Sequence, residues 1–218
     1  MVDVNAANAE KVVEEIRSYN NAVIAITCDM RSPKQVAAMV ARVTEHFGDL
    51  HIAFNNAGIN RNSAAEETTL SEWDETFAVN LRGVFLCCQE EGKVMLSAGY
   101  GKIINTASIS SIIVPHPQKQ AAYNVSKAGV VSLTRSLAAE WANRGVRVNC
   151  ISPGILRTKL IMESRVLAPL VEGWIRDVPM GSLCQLDDLT GAAVYLASEV
   201  SDYMIGHNLV IEGGTTLW

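Results

Sequence analysis

Short apolar runs alternate along the chain with amphipathic stretches of helical period, and this alternation sets the predicted elements. Residues 23–28, 50–54, 102–104, 146–151 and 209–211 are apolar runs that read as strands, and residues 1–5 look like the end of another. Residues 8–19 place Val12, Val13 and Ile16 on one helical face. Ser32 and Pro33 supply a cap and a first-position proline for a helix that Gly48 stops. Leu70 starts a long helix reaching about residue 97, with Ser71 and Asp74 at capping-box spacing. Another helix carries Val130, Leu133, Leu137 and Trp141 as its apolar stripe, and a last one covers residues 187–198. Residues 159–180 show no period. Strands alternating with helices predict βαβ units and a parallel sheet. With no repeat, low-complexity segment or linker, residues 1–218 read as one domain.

Polar motifs sit where several of these strands end. Asn55-Asn56-Ala57-Gly58 closes one, Asn105-Thr106-Ala107-Ser108 the next, and Pro153-Gly154-Ile155-Leu156-Arg157-Thr158 a third. A doubly wound sheet builds its site from such strand ends. Tyr123 and Lys127 stand four apart, which on a helix puts phenol and ammonium on one face. The ammonium is then expected to favour the phenolate and lower the Tyr123 pKa, as suits a general acid/base acting on an alcohol or carbonyl. Plainer readings stand beside these. Tyr123 can be an ordinary tyrosine packed at a helix start, Asn80 a buried residue at a helix kink, and Thr158 a cap. Ser110 and Ser111 compete with Ser108, whose place just after Asn105-Thr106-Ala107 favours it.

Composition narrows the field. The chain of 218 residues is 49% hydrophobic and 19% charged, which suits a globular α/β domain with buried strands. Its net charge of −5 and the scatter of its 18 basic residues argue against a nucleic-acid partner. No apolar run reaches the roughly 20 residues that span a bilayer, and the start lacks the basic region of a secretory signal, so a cytoplasmic location is expected. Five cysteines without a Cys-x-x-Cys read as buried reduced thiols, and four histidines without ligand spacing give no metal site.

Together the motifs resemble the short-chain dehydrogenase/reductase family over residues 3–218. The segment Tyr123-Asn124-Val125-Ser126-Lys127-Ala128-Gly129, the Glu140-Trp141 pair and residues 206–214 resemble its fungal sorbose reductase and mannitol dehydrogenase members. The resemblance implies a Rossmann-like doubly wound parallel sheet. It also implies hydride transfer between NAD or NADP and a small carbonyl or alcohol substrate. By it, Tyr123 is the acid/base, Lys127 its partner and a ribose ligand, Ser108 the donor to the substrate oxygen, and Asn80 part of a proton relay from Lys127 through water. Asn56, Ala57 and Gly58 would line the adenine-ribose region, Asp29 would meet the adenine, and Asp3 would hold the adenosine ribose hydroxyls and favour NAD. Pro153, Gly154, Ile155 and Thr158 would complete the cofactor set, with Ile155 and Thr158 at the carboxamide. Residues 159–180 would be a mobile substrate lid, its Trp174 pointing to an apolar or mixed substrate. The helix from Leu70 and the helix bearing Tyr123 would pair in a homo-oligomer, dimer or tetramer, through a four-helix bundle.

The sequence departs from that family at a few places. Ser111 stands where it usually has glycine, and Ser182 where it often has arginine. More consequentially, the first glycine is Gly48, so the family's first strand and Gly-rich turn are absent and the chain reads as N-terminally truncated. Without that central strand, the sheet is expected either to split or to pair residues 23–28 with 50–54. The backbone N–H groups that receive a pyrophosphate would go with it. Asp3 would then be as well explained by a frayed, solvated end. Three readings fit this pattern: a truncated ordinary reductase, a cofactor-free isomerase, dehydratase or cyclase using the same Ser-Tyr-Lys set, or a non-catalytic assembly subunit.

Overall fold

The computed structural model describes residues 1–19 and 22–217; Trp218, the end of the resemblance, lies outside them. Two parallel sheets form. Strand β1 (Val2–Asp3) pairs with β2 (Ile26–Thr27), and β3 (Ile52–Asn55), β4 (Gly101–Thr106), β5 (Val146–Pro153) and β6 (Asn208–Ile211) pair in that order. Of the two arrangements expected, the sheet therefore splits: β2 does not pair with β3. Asp3 is not frayed, because Cys28 N–H donates to its carbonyl at 3.0 Å and the register sets it opposite Thr27.

Local signals explain most elements. Helix α1 (Ala6–Arg17) starts two residues earlier than its apolar period, because Asn5 caps it through its side chain. Helix α2 (Pro33–Phe47) is capped by Ser32 and ended by Gly48 at φ 86°. The capping box ahead of α3 (Leu70–Phe77) is Thr69 with Glu72, which corrects the Ser71–Asp74 pairing; Thr69 has the extended backbone a cap needs, and Glu72 reaches back to it. The long helix then loosens into a π-helical segment, Ala78–Gly83, before α4 (Val84–Ala98) resumes. Helix α5 (Ala121–Trp141) carries Tyr123 and Lys127, and α6 (Lys159–Met162), α7 (Val171–Asp177) and α8 (Asp187–Ala197) come after it.

Helices cover the four-stranded sheet on both faces. Val84, Cys88 and Met95 of α4 and Val130, Leu137 and Trp141 of α5 pack on Ala53, Ile103, Val146 and Val148. Leu196 of α8 packs on Ile104 and Ile151 across the other face. Apolar packing joins the two-stranded sheet to the rest: Cys28, Val36, Met39 and Val40 form a cluster with Cys87 of α4. Asn56, Ala107 and Gly154 follow directly on the carboxyl ends of the parallel strands β3, β4 and β5, while Asn80 and the Tyr123–Lys127 pair sit on helical segments.

Candidate functional site

Ser108 leaves β4 in extended backbone (φ −172°, ψ 158°) and caps a short 3₁₀ turn, with Ser110 N–H donating to its Oγ at 3.1 Å. That bond uses an acceptor position of the hydroxyl and leaves its O–H free to donate. Tyr123, on the first turn of α5, lies beside Ser108, whose hydroxyl favours its ionised form. Lys127 lies one turn on, buried, its Nζ 5.7 Å from the Tyr123 ring centroid and donating to the Thr106 carbonyl at 2.7 Å. Ser110 and Ser111 are placed elsewhere: Ser110 Oγ accepts from Gln120, and Ser111 Oγ donates to the Ser108 carbonyl. Of the three, Ser108 is the one beside Tyr123.

The electrostatics correct one expectation. Burial pushes the Tyr123 phenol above its ordinary value, and the Ser108 hydroxyl pulls it only partly back. Lys127 does not lower it, because burial costs the ammonium as well and takes it down to about 8, against a smaller opposing pull from Cys150. The pair shares a desolvated site in which both ions are disfavoured.

Asn80 sits fully buried in the π-helical segment. Its Oδ1 accepts from Ile59 N–H at 2.8 Å, and its Nδ2 donates to the Ile59 carbonyl at 2.8 Å and Ser126 Oγ at 3.1 Å. Asn80 thus fastens the loop after β3 to α5. Gly58, in that loop, presents no side chain where a Cβ would come within 3.4 Å of both Asn80 Oδ1 and Lys127 Nζ. Asn56 and Ala57 are exposed beside it, and Asn56 Oδ1 accepts from Thr106 Oγ1 at 3.1 Å. Pro153 ends β5 in register with Ile211, and Gly154 N–H donates to the Ile211 carbonyl at 2.8 Å. Ile155 and Thr158 come next, half-buried, and Thr158 makes no side-chain capping bond to α6, so capping does not account for it.

Two acidic residues lie on the two-stranded side. Asp3 is half-buried at the end of β1, with one oxygen accepting from Asn5 N–H at 2.7 Å. Asp29 is committed to Arg31, whose guanidinium meets both carboxylate oxygens and holds the carboxyl below its usual range. Trp174 is buried, not turned to a substrate: its indole N–H donates to the His116 carbonyl at 3.0 Å and to Gln118 Oε1 at 3.1 Å. The inference of an apolar substrate from Trp174 falls with it.

Sequence reasoning missed Gln120, Asn60 and Glu91. Gln120 hydrogen-bonds Asn60, Ser110 and Asn124, and buried Glu91 accepts from Asn55 Nδ2 at 3.0 Å. The signal for Gln120 was its place just ahead of the Tyr123 helix. Glu91 carried a weaker one, a carboxyl on the helix face shared with Cys87 and Cys88. Among the described residues no cluster of His, Cys, Asp and Glu suits a metal ion, and no helix is long and apolar enough to cross a membrane.

Known proteins match this chain along nearly its whole length. Residues 1–216 match the family model described as enoyl-(acyl carrier protein) reductase. The D-threitol dehydrogenase of Mycolicibacterium smegmatis is 39% identical over 99% of this chain and 82% of its own length. The L-tagatose-forming galactitol 2-dehydrogenase of Cereibacter sphaeroides is 36% identical over 100% and 85%. The NADP-dependent mannitol dehydrogenase of the fungus Hypocrea jecorina is 36% identical over 95% and 77%. Among solved structures, a short-chain type dehydrogenase/reductase from Mycobacterium marinum superposes with TM-score 0.93 at 37% identity, over 99% of this chain and 84% of that one. A gluconate 5-dehydrogenase from Burkholderia cenocepacia, in complex with NADP and tartrate, superposes with TM-score 0.92 at 31% identity, over 100% and 85%.

Proposed function

The chain belongs to the short-chain dehydrogenase/reductase family, an oxidoreductase moving hydride between a nicotinamide cofactor and a carbonyl or alcohol, and on that premise we propose that it interconverts a small polyol and its ketose with NAD. The observation that carries this reading is the meeting of Ser108, Tyr123 and Lys127 at the carboxyl edge of the sheet, in a chain matched end to end by dehydrogenases of threitol and galactitol. The relatives are dehydrogenases and reductases, which favours neither the cofactor-free nor the assembly-only reading.

The residues present fit the nicotinamide-ribose end of a dinucleotide. Gly58 leaves room beside Asn80 and Lys127, and Lys127 is a buried donor at the strand ends. Pro153, Gly154, Ile155 and Thr158 would line the same side. When bound, the nicotinamide takes hydride from the alcohol carbon or returns it to the carbonyl carbon. Ser108, whose one O–H favours the Tyr123 phenolate in the free protein, would turn it to the substrate oxygen once substrate is bound. Tyr123 takes the alcohol proton in oxidation and gives it back in reduction. Lys127, whose ammonium burial brings down to about 8, would hold the ribose. The Asn80 side chain is committed to Ile59 and Ser126, where it would hold the loop of Gly58 against α5 beneath the cofactor. Asp3 supports NAD: at the end of β1 a carboxylate accepts from ribose hydroxyls and repels a 2′-phosphate. Asn56 and Ala57 line the adenosine side. Asp29, paired with Arg31, would flank the adenine through that ion pair. One domain over 1–218 carries all of this. Its exposed face of α3, α4 and α5, where Phe85 and Leu81 border a groove, would seat a second copy.

The test is nicotinamide absorbance with four- to six-carbon polyols and each oxidised cofactor. Turnover with NAD and at least one polyol is expected. Tyr123→Phe should lower kcat by roughly 100-fold or more, and Asp3→Ala should shift preference towards NADP. Absence of turnover with every polyol, in both directions, would overturn the substrate assignment.

A further inference from the structure

Gln120 is the N-cap of α5, yet its side chain makes no capping bond to the free backbone N–H groups of that helix. Polar residues at that position normally turn back onto the first free N–H groups. The Gln120 side chain crosses to other segments instead. Its Nε2 donates to Ser110 Oγ at 3.2 Å and Asn124 Oδ1 at 2.9 Å, and its Oε1 accepts from Asn60 Nδ2 at 2.8 Å. Its backbone also forms a parallel bridge with Ser63. The residue is only 6% exposed. One buried amide thus ties together the loop after β3, the turn that carries Ser108 and the turn of α5 that carries Tyr123. Ser110, which it holds, is the residue whose N–H fixes Ser108 Oγ.

We propose that Gln120 is a positioning residue: by locking the Ser108 turn to the first turn of α5, it sets the distance between the Ser108 hydroxyl and the Tyr123 phenol. This rests on the roles given above to those two residues. The distance between them is otherwise set by two segments that leave different elements, β4 and α5. Proton transfer is sensitive to such a distance, since a displacement of about 1 Å costs on the order of 10²-fold in rate. A helix cap alone would not need bonds reaching 10 and 60 residues along the chain.

The decisive variant is Gln120→Met, which keeps the volume and removes all three bonds. Ser110→Ala removes just one of them and leaves the N–H on Ser108 in place. The readout is Tyr123 ionisation, tracked by fluorine NMR of protein labelled with 3-fluorotyrosine and assigned with Tyr123→Phe. It needs no turnover. The titratable groups near Tyr123 are Lys127 on α5 and, facing Lys127, Cys150 on β5; both are unchanged in every variant. The Ser108 hydroxyl favours the phenolate, so Gln120→Met should raise the Tyr123 midpoint by roughly half a unit to one unit. It should also lower kcat for alcohol oxidation by about tenfold or more, with KM for the cofactor unchanged. Ser110→Ala should move both quantities the same way by less. A folded Gln120→Met protein with the wild-type midpoint overturns the proposal, whether or not its activity falls. If that variant fails to fold, Ser110→Ala decides by the same criterion. If the wild type turns nothing over while the midpoint still shifts, the redox reading fails and the latch stands.

Discussion

Glu91 is a carboxyl buried beneath the Asn55 and Asn105 amides, taking one bond from Asn55 Nδ2, an amide that also reaches Cys88 and Asn105. Burial raises it from 4.5 to about 7, against a smaller opposing effect of that bond. The folded protein therefore holds this proton more tightly than the unfolded chain does. The resulting stabilisation is complete below pH 4.5, shrinks as pH rises from 4.5 to 7, and is gone above it, where a buried anion remains. By the shift, that anion costs about 3 kcal/mol at pH 8. Glu91→Gln should thus raise the melting temperature at pH 8 and leave it nearly unchanged at pH 4.5. An equal shift at both pH values, by calorimetry, would rule out this origin. Tyr123 and Lys127 make a second pH statement. With the phenol pushed up and the ammonium near 8, alcohol oxidation, which uses the phenolate, should keep accelerating above pH 8, while carbonyl reduction should not. Initial-rate profiles in the two directions check this; a flat oxidation profile from pH 7 to 10 would contradict it.

Gly145 ends the turn after α5 at φ 87° and sits against Gly99, itself at φ 72° after α4. A Cβ on Gly145 would run into the Gly99 carbonyl, and the backbone cannot move without spoiling the Gly101 N–H bond to the Gly145 carbonyl that begins the β4–β5 pairing. Gly145→Ala should therefore cost about 2 kcal/mol or more and lower the melting temperature by roughly 5 °C; a loss under about 1 °C would show that the two turns yield. Turns of this kind were legible as glycines closing a helical period, and the buried strands were legible as apolar runs because both faces of a parallel sheet are covered. The motifs around Asn56, Ser108 and Gly154 were legible for a related reason, since each ends such a run, and Tyr123 with Lys127 was legible from its helical spacing. What stayed hidden depends on distant partners. Nothing within the helix of Asn80 predicts its π-helical turn, which is held by Ile59 and Ser126, 21 and 46 residues away. Gln120 reads locally as a helix cap, and its real partners lie elsewhere. Trp174 reads as a lid residue facing substrate until His116 and Gln118 claim its indole.

The molecule as a whole holds two parallel sheets that share no strand pairing. Ile52 and Phe54 of β3 remain 47% and 45% exposed on the face where Ile104 and Ile151 are covered by α8, so the four-stranded sheet is least covered beside the break. The contact that joins the halves is α2 against α4, a small cluster around Val36 and Cys87. Asp3 belongs to one half, and Gly58, Lys127 and Tyr123 to the other. A dinucleotide held as proposed would touch both and tie them together. NADH at about 100 times its Kd should then stabilise the fold by about 2.7 kcal/mol and raise the melting temperature by roughly 5–10 °C. Hydrogen exchange separates this from binding at one half. NADH should slow exchange at Ile26 and Cys28, whose N–H groups bond to Met1 and Asp3 carbonyls, as well as around residues 58–60 and 106–111. Reduced nicotinamide mononucleotide, which lacks the adenosine, should protect only the second group. Asp3→Ala should remove the difference between the two ligands. Equal protection of the β1–β2 pair by both would mean that the adenosine end never reaches Asp3, and the preference for NAD over NADP would then have to arise on the four-stranded side alone.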